Sequence, residues 1–305
     1  MSLTLSIVIV SFNTKEKLRK CLSCLDMNRD EIIVVDNASS DGSAEMVKAE
    51  FPAAKLVEND QNFGFGKANN IGLDLAVGNL VLLLNSDAYV QANAIEQLME
   101  VFTDESVVAT GPMLLNIDGS LQESVAARLT LGKVFLEQTF LDAIARKFGK
   151  GYWRTGLVQG TSLSKVDQVM GACLMVRASL GQRFDERFFL YCEDTELCDR
   201  LASLGKIVYV REAKVIHELG SSSVDSRWKA VARYNLSKEL YFRIHSGSGA
   251  ANACWIMNRT GAILRLIAGL LLSPFSKSGR EKVRIFWRVL LARQDQVIPF
   301  EHRSQ

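Results

Sequence analysis

Leu80-Val81-Leu82-Leu83-Leu84-Asn85-Ser86-Asp87 is an unbroken apolar run that ends in a polar triplet with one carboxylate. A short apolar run bounded by polar residues reads as a fully buried strand. Open α/β sheets carry their chemistry just beyond the carboxyl ends of such strands. Asp87 then stands where a cation could be held against a phosphate. The competing reading is that Asp87 caps a helix starting near Gln91.

Working outward toward the N-terminus, Leu3 to Val10 is rich in β-branched residues and predicts a first strand. Ser11-Phe12-Asn13-Thr14 follows, then a helix with Leu18, Cys21, Leu22 and Leu25 at helical spacing. Glu31 to Val35 predicts a second strand with Asp36 at its end, and a polar turn leads into a helix reaching Phe51. Leu56-Val57 is a short third strand, followed by Asn62-Phe63-Gly64-Phe65-Gly66 and a helix from Lys67 to Val77. This alternation predicts βαβ units and a mostly parallel sheet flanked by helices. Right-handed crossovers bring Ser11, Asp36, the Asn62 loop and Asp87 to one cleft.

Toward the C-terminus the pattern predicts a helix over Gln91–Phe102 and strands at Val107–Thr110 and Met113–Asn116. A hairpin turn at Asp118-Gly119 and a helix near Leu131–Phe148 come next. The pattern is weak between 125 and 165, where a loop over the cleft is expected. Val166–Val176 reads as a strand interrupted by Gly171, and Glu193-Asp194 opens a helix with Leu197, Leu201 and Leu204 on one face. Ile207–Val210 and Ala213–Ile216 are short strands, the second ended by His217, and a helix spans Trp228 to Ile244.

With 305 residues, 48% hydrophobic and 23% charged, the chain has globular values and length for one large or two modest domains. A net charge of +2 makes no case for nucleic acid. The charge is uneven, because Arg259 to Arg293 holds eight basic residues and one acidic, Glu281. Cys21 and Cys24 form a CxxC with no second pair of matching spacing, which favours buried, reduced thiols over a zinc or redox site. The N-terminus has no basic segment ahead of its apolar run and reads as a strand, not a signal peptide. No glycine follows the first strand, and Asn69 stands where a third glycine would complete Gly64-Phe65-Gly66. Neither a dinucleotide fingerprint nor a P-loop is present.

Ile9-Val10-Ser11-Phe12-Asn13, Val34-Val35-Asp36-Asn37-Ala38-Ser39-Ser40-Asp41-Gly42-Ser43, Asn62-Phe63-Gly64-Phe65-Gly66-Lys67-Ala68-Asn69-Asn70-Ile71-Gly72 and Leu84-Asn85-Ser86-Asp87 occur in that order. Together they resemble a family 2 inverting glycosyltransferase of the GT-A fold. Gly171-Ala172-Cys173, Phe188-Phe189-Leu190-Tyr191-Cys192-Glu193-Asp194 and His217 are similar to the bacterial rhamnosyltransferase-like branch. The resemblance covers roughly residues 3 to 245 and implies roles. Asp36 matches the carboxylate that bonds the base or ribose of a nucleotide-sugar donor, against the alternative of an Asx turn. Ser11, Phe12 and Asn13 line the nucleotide site, and Asn62, Gly64 and Lys67 match the segment under it. Lys67 is equally readable as a solvated first-turn lysine. Asn85, Ser86 and Gly171 join the donor-binding set, though Gly171 also suits a bulge.

Asp87 matches the last Asp of the family's Mg²⁺ or Mn²⁺ motif. Asn85 replaces the motif's first Asp, which leaves one anionic ligand, and His217 is the candidate second ligand against the reading of a core histidine. Asp194 matches the general base that deprotonates the acceptor hydroxyl during in-line displacement, with Glu193 its neighbour and rival. Acidic residues also favour a helix's first turn for purely structural reasons.

Gly261 to Phe275 is apolar except for Arg265 and, at about fifteen residues, falls short of a span. Val283, Phe286, Trp287, Leu290 and Leu291 lie on one helical side, with Arg284 and Arg288 on another. This profile suits a helix lying in a membrane interface, against a core or dimer-forming helix pair. The expectation is a GT-A domain over 1–250 and a basic amphipathic helical tail over 251–305. It acts on a nucleotide-sugar donor, with dTDP-rhamnose preferred through the resemblance, and a saccharide or lipid-linked saccharide acceptor in bacterial polysaccharide assembly. The expected location is cytoplasmic, peripheral on the membrane. The rivals are a non-catalytic carbohydrate- or nucleotide-binding protein and a nucleotidyltransferase. The second would need a Gly-rich basic loop after strand one, which Ser11-Phe12-Asn13-Thr14 does not supply.

Overall fold

The computed structural model describes residues 3–148, 153–154, 162–218 and 224–298. Two compact units divide the chain: residues 1–128, 153–186 and 193–219, and residues 129–152, 187–192 and 220–305.

The first unit begins with β1 (Leu5–Ser11), α1 (Lys15–Leu22), β2 (Glu31–Asp36), α2 (Ser43–Glu50), β3 (Lys55–Glu58), α3 (Phe65–Leu75) and β4 (Leu80–Asn85). β1 pairs in parallel with both β2 and β4, and β2 with β3. The apolar run of β4 is buried throughout, and because successive side chains of a strand point to opposite faces, an unbroken apolar run makes both faces apolar. Leu80, Leu82 and Leu84 pack with Leu18, Met46 and Ile95 on one face. Val81 and Leu83 pack with Ala68, Leu197 and Leu201 on the other. Helices therefore cover both sides of the sheet, as a strand apolar on both faces requires.

Past Asp87 the structure departs from the periodicity. A short strand, β5 (Ala88–Val90), precedes α4 (Ala94–Glu100), whose N-cap is Asn93 in the left-handed region. Asp87 is therefore not the cap of that helix. β6 (Val107–Leu115) is one strand through Gly111-Pro112, not two. The Asp118-Gly119 turn forms as the spacing predicts: Asn116 N–H donates to Ser120 O at 2.8 Å and Gly119 N–H to Asn116 O at 2.9 Å. β7 (Val125–Ala126) pairs with β8 (Trp153–Arg154) and with β10 (Gln168–Val169) in a small second sheet.

β9 (Leu163–Val166) and β11 (Cys173–Arg177) replace the single strand expected over Val166–Val176. α7 (Glu193–Leu204) leads into β12 (Lys206–His217), one strand with an irregularity between Val210 and Lys214. Among the described residues the main sheet runs β3-β2-β1-β4-β11-β6-β12-β5, with β9 beside β12. β11 lies antiparallel between β4 and β6. Its beginning therefore falls at the edge where β1, β2 and β4 end.

The second unit is helical. α5 (Leu131–Gln138) and α6 (Asp142–Lys147) divide at Phe140, whose φ is +64°. α8 (Val224–Leu272) is interrupted at Gly247 and followed by α9 (Lys277–Leu291) and α10 (Gln294–Val297). Most of the apolar run at 261–275 is therefore the end of a much longer helix, which stops at Leu272. By length and composition that helix is long and apolar enough to cross a membrane. Ala262, Ile285 and Val289 form a small core between α8 and α9, with Trp228 and Phe286 against it. Lys238 is fully buried, 3.2 Å from Glu137 Oε2 and over the Tyr234 ring. Arg265 donates to the carbonyls of Glu137 and Gln138, and Arg259 to those of Val289 and Leu290. Two of the eight basic residues between 259 and 293 thus bind internal carbonyls.

Candidate active site

Ser11 and Asp36 are register partners at the ends of β1 and β2. Asp36 is buried, and its Oδ1 accepts the Ser39 N–H at 2.8 Å, a local loop bond of the Asx kind that reaches three residues on instead of two. Its Oδ2 is also buried but has no partner. A buried carboxylate oxygen without a donor is costly, and a ribose hydroxyl or base N–H would supply one. Both readings of Asp36 thus fit one side chain. Asn13 adopts φ +54°, and its Oδ1 accepts the Ser40 N–H at 2.8 Å while its own N–H donates to Ser39 Oγ. These bonds tie the two strand-end loops together, with Phe12 half-exposed between them. The hydroxyls of Ser11, Thr14 and Ser86 form a chain with steps of 3.1 and 2.9 Å, joining the ends of β1 and β4.

The Asn62 loop is organised by Asn37, a residue not singled out from the sequence. Asn37 Nδ2 donates to Asn62 Oδ1 at 3.2 Å and Gly64 O at 3.1 Å, and its Oδ1 accepts from Asn59 Nδ2 at 2.9 Å. Gly64, at φ +83° and ψ 177°, occupies a region open essentially to glycine alone. Lys67 lies with Nζ 4.4 Å above the Phe63 ring, held by a cation–π contact.

β5 pairs with the end of β12, setting His217 opposite Ala88. That register brings His217 Nε2 to 3.3 Å from Asp87 Oδ1. Lys17 Nζ lies 3.7 Å from Asp87 Oδ2 and 3.6 Å from Glu218 Oε1. Lys17 and Glu218 are further members that the sequence pattern did not mark. His217 is 5% exposed, and its Nδ1 is 2.7 Å from Gln122 Oε1. Asn85 Nδ2 is 3.4 Å from His217 Nε2, and Asn85 Oδ1 is buried without a partner. Among the described residues no three His, Cys, Asp or Glu side chains gather as a complete cage. One carboxylate and one imidazole would nonetheless fit a divalent cation whose other positions were left to donor oxygens and water. Gly220-Ser221-Ser222-Ser223, which follows His217 and by composition suits phosphate contacts, lies outside the described residues, as do residues 149–152 and 155–161 of the loop expected between 125 and 165.

Asp194 lies in the first turn of α7, where its Oδ2 accepts the Gly171 N–H at 2.9 Å and its Oδ1 the Thr195 N–H at 2.7 Å. A Cβ on Gly171 would fall 3.1 Å from Asp194 Cβ, so glycine serves close approach here. The next residue, Ala172, accepts the Asn85 N–H at 2.9 Å. Two consecutive residues thus link the carboxylate of α7 to the end of β4. Burial raises the Asp194 pKa against the pull of the Gly171 and Thr195 N–H groups. Burial and then the Asp194 charge push Glu193 well above the usual carboxylate range, and Glu193 Oε2 is buried without a partner. Cys21 and Cys24 are both free. Cys21 is buried, whereas Cys24 is exposed, contrary to the buried-thiol expectation.

The profile of Glycosyl transferase family 2 matches residues 6–160. The chain is 26% identical over 308 residues to an N-acetylglucosaminyl-diphospho-decaprenol L-rhamnosyltransferase of Mycobacterium tuberculosis, covering 93% of this chain and 98% of that one. Its fold is similar to a mannosyltransferase from Pyrobaculum calidifontis in complex with GDP-Man and Mn²⁺, with a TM-score of 0.53, 14% identity, and 95% and 88% of the two chains covered. It is also similar to GalNAc-T7 with UDP, GalNAc and Mn²⁺, with a TM-score of 0.53 and 16% identity. That match covers 79% of this chain and 50% of the other, so the chain spans about half of that protein's length.

Proposed function

From the premise that this chain belongs to Glycosyl transferase family 2 and is a glycosyltransferase of the GT-A fold, we propose an inverting transfer from a nucleoside diphosphate sugar to an acceptor hydroxyl. The observation that carries this reading is the gathering of Asp36, Asp87, His217 and the Gly171–Asp194 pair at one sheet edge. Asp36 and the Asn37-ordered loop hold the nucleoside. Asp87 and His217 hold Mg²⁺ or Mn²⁺, which when bound offsets the charge of the leaving diphosphate. Lys17, between Asp87 and Glu218, adds a positive group near the same oxygens. Asp194 takes the acceptor proton. Its raised pKa makes it a stronger base than an exposed aspartate once ionised.

The donor is dTDP-rhamnose and the acceptor a lipid-linked saccharide. The reading is supported by similarity over 93% of the chain to an N-acetylglucosaminyl-diphospho-decaprenol L-rhamnosyltransferase, whose name is that of an enzyme acting on a diphospho-lipid. The work is assembly of a bacterial cell-surface polysaccharide at the inner face of the membrane, with the helical segment beyond residue 250 as the contact. Incubation of the enzyme with dTDP-rhamnose, UDP- and GDP-sugars, each with Mn²⁺ and a diphospho-lipid N-acetylglucosamine, tests this. Transfer from dTDP-rhamnose with inverted anomeric configuration by NMR is the expected result. Transfer from another donor alone rejects the donor assignment, and binding without any transfer rejects the catalytic one.

A further inference from the structure

Gln122 is 7% exposed and lies in the segment between β6 and β7. Its two amide ends face partners of fixed character. Nε2 donates to Asn116 Oδ1 at 2.9 Å and to the His217 carbonyl at 3.2 Å, so Oε1 must face His217 Nδ1, 2.7 Å away. The orientation of Asn116 is set in turn. Its Nδ2 donates to Ser120 Oγ at 2.9 Å, and Ser120 Oγ donates to Asp118 Oδ1, a carboxylate oxygen that can only accept. Each member of the series thus has one allowed polarity, and the last member is the imidazole. An acceptor at Nδ1 requires Nδ1–H. The neutral ring then carries its lone pair on Nε2, the atom 3.3 Å from Asp87 Oδ1.

We infer that Gln122 is a positioning residue that holds His217 in the Nδ1–H tautomer. The Asp118-Gly119 hairpin turn fixes the direction of that hold. The inference rests on the reading of Asp87 and His217 as the metal-binding pair, for which only a bare Nε2 will serve. Second partners of a ligating histidine commonly set its tautomer and ring orientation, and their loss costs 10- to 100-fold in metal affinity.

The test uses full-length protein with ¹⁵N-labelled histidine. The chain has three histidines, so His217→Ala assigns the signal. Imidazole ¹⁵N spectra at a pH where the ring is neutral are expected to show protonated Nδ1 and bare Nε2 in the wild type. Gln122→Met is expected to release this preference and weaken Mn²⁺ binding in the presence of dTDP about 10- to 100-fold. Gln122→Glu in its uncharged form keeps an acceptor facing Nδ1 and an O–H facing Asn116 Oδ1, and is expected to restore the tautomer, which a merely space-filling role would not predict. It also carries the test if the methionine variant fails to fold. An unchanged tautomer in Gln122→Met, or a lost one in Gln122→Glu, overturns the inference. Should the tautomer respond as expected while Mn²⁺ affinity stays equal in wild type, Gln122→Met and His217→Ala, the metal reading of His217 falls and the positioning role stands.

Discussion

Glu193 and Asp194 are adjacent carboxylates in different circumstances. Asp194 has two backbone N–H groups on its oxygens, whereas Glu193 Oε2 has no partner at all. Groups whose environments push their ionisation apart are the usual acid–base pairs, and here the better-solvated charge belongs to Asp194. Asp194→Asn is expected to fold, to bind donor with little change, and to lower kcat by about 10²- to 10⁴-fold. Steady-state kinetics with a donor-binding titration check this. In the wild type the acid limb of kcat/KM should lie above the ordinary aspartate range, because burial raises the Asp194 pKa.

Glu193 bears on stability instead. Its folded-state pKa is raised, so the favourable protonated form is fully present below the unfolded value of 4.5 and is lost as pH rises through the folded value. Glu193→Gln removes that loss. Its Tm should match the wild type near pH 4 and exceed it increasingly through neutrality. A constant difference across the range would reject the buried-charge account.

At the scale of elements, the residues legible beforehand sit at strand ends whose flanking runs are apolar on both faces. β1, β2 and β4 are such runs, so Ser11, Asp36 and Asp87 could be placed at one edge without coordinates. β5 is three residues long and is defined by its partner β12 and not by its own pattern, so the approach of His217 to Asp87 could not be read from periodicity and was implied only by the family resemblance. The roles of Asn37 and Gln122 were equally invisible, because side-chain hydrogen bonds between loops leave no periodicity. Gly171 shows how far a local signal reaches. A glycine within a strand-like run suggests a bulge, yet only the position of α7 reveals that it admits Asp194. Gly171→Ala must displace Asp194 by several tenths of an ångström. It is expected to lower kcat at least tenfold, since small misplacements of a reacting group are costly, with a smaller change in donor affinity. Equal changes in kcat and in donor Kd would point to general disruption of the strand end.

For the molecule as a whole, the uneven charge finds its place on α9. Lys277, Arg280, Lys282, Arg284 and Arg288 are exposed, Arg280 also donating to the Ser273 carbonyl at 3.1 Å, whereas Arg259 and Arg265 are only partly exposed, with their guanidinium groups on carbonyls. Trp287 and Leu291, 56% and 61% exposed, share this surface, and Leu271 and Phe275 at the end of α8 are 70% and 86% exposed. Ile285 and Val289 turn inward to the small core, so one helix divides its apolar residues between packing and solvent. Exposed tryptophan and leucine interleaved with arginine suit the level of lipid headgroups. Each basic residue near an anionic surface contributes about 1 kcal/mol, so Lys282→Gln, Arg284→Gln and Arg288→Gln together should weaken association by roughly 100-fold. Flotation with vesicles of phosphatidylglycerol and phosphatidylcholine measures this. The wild type should float with the anionic vesicles and detach as salt rises, and the triple variant should remain at the bottom of the gradient. If both proteins float equally, the basic face has no part in membrane contact. If neither floats while sedimentation detects a dimer that Trp287→Glu dissociates, the face is an interface between two copies of the chain.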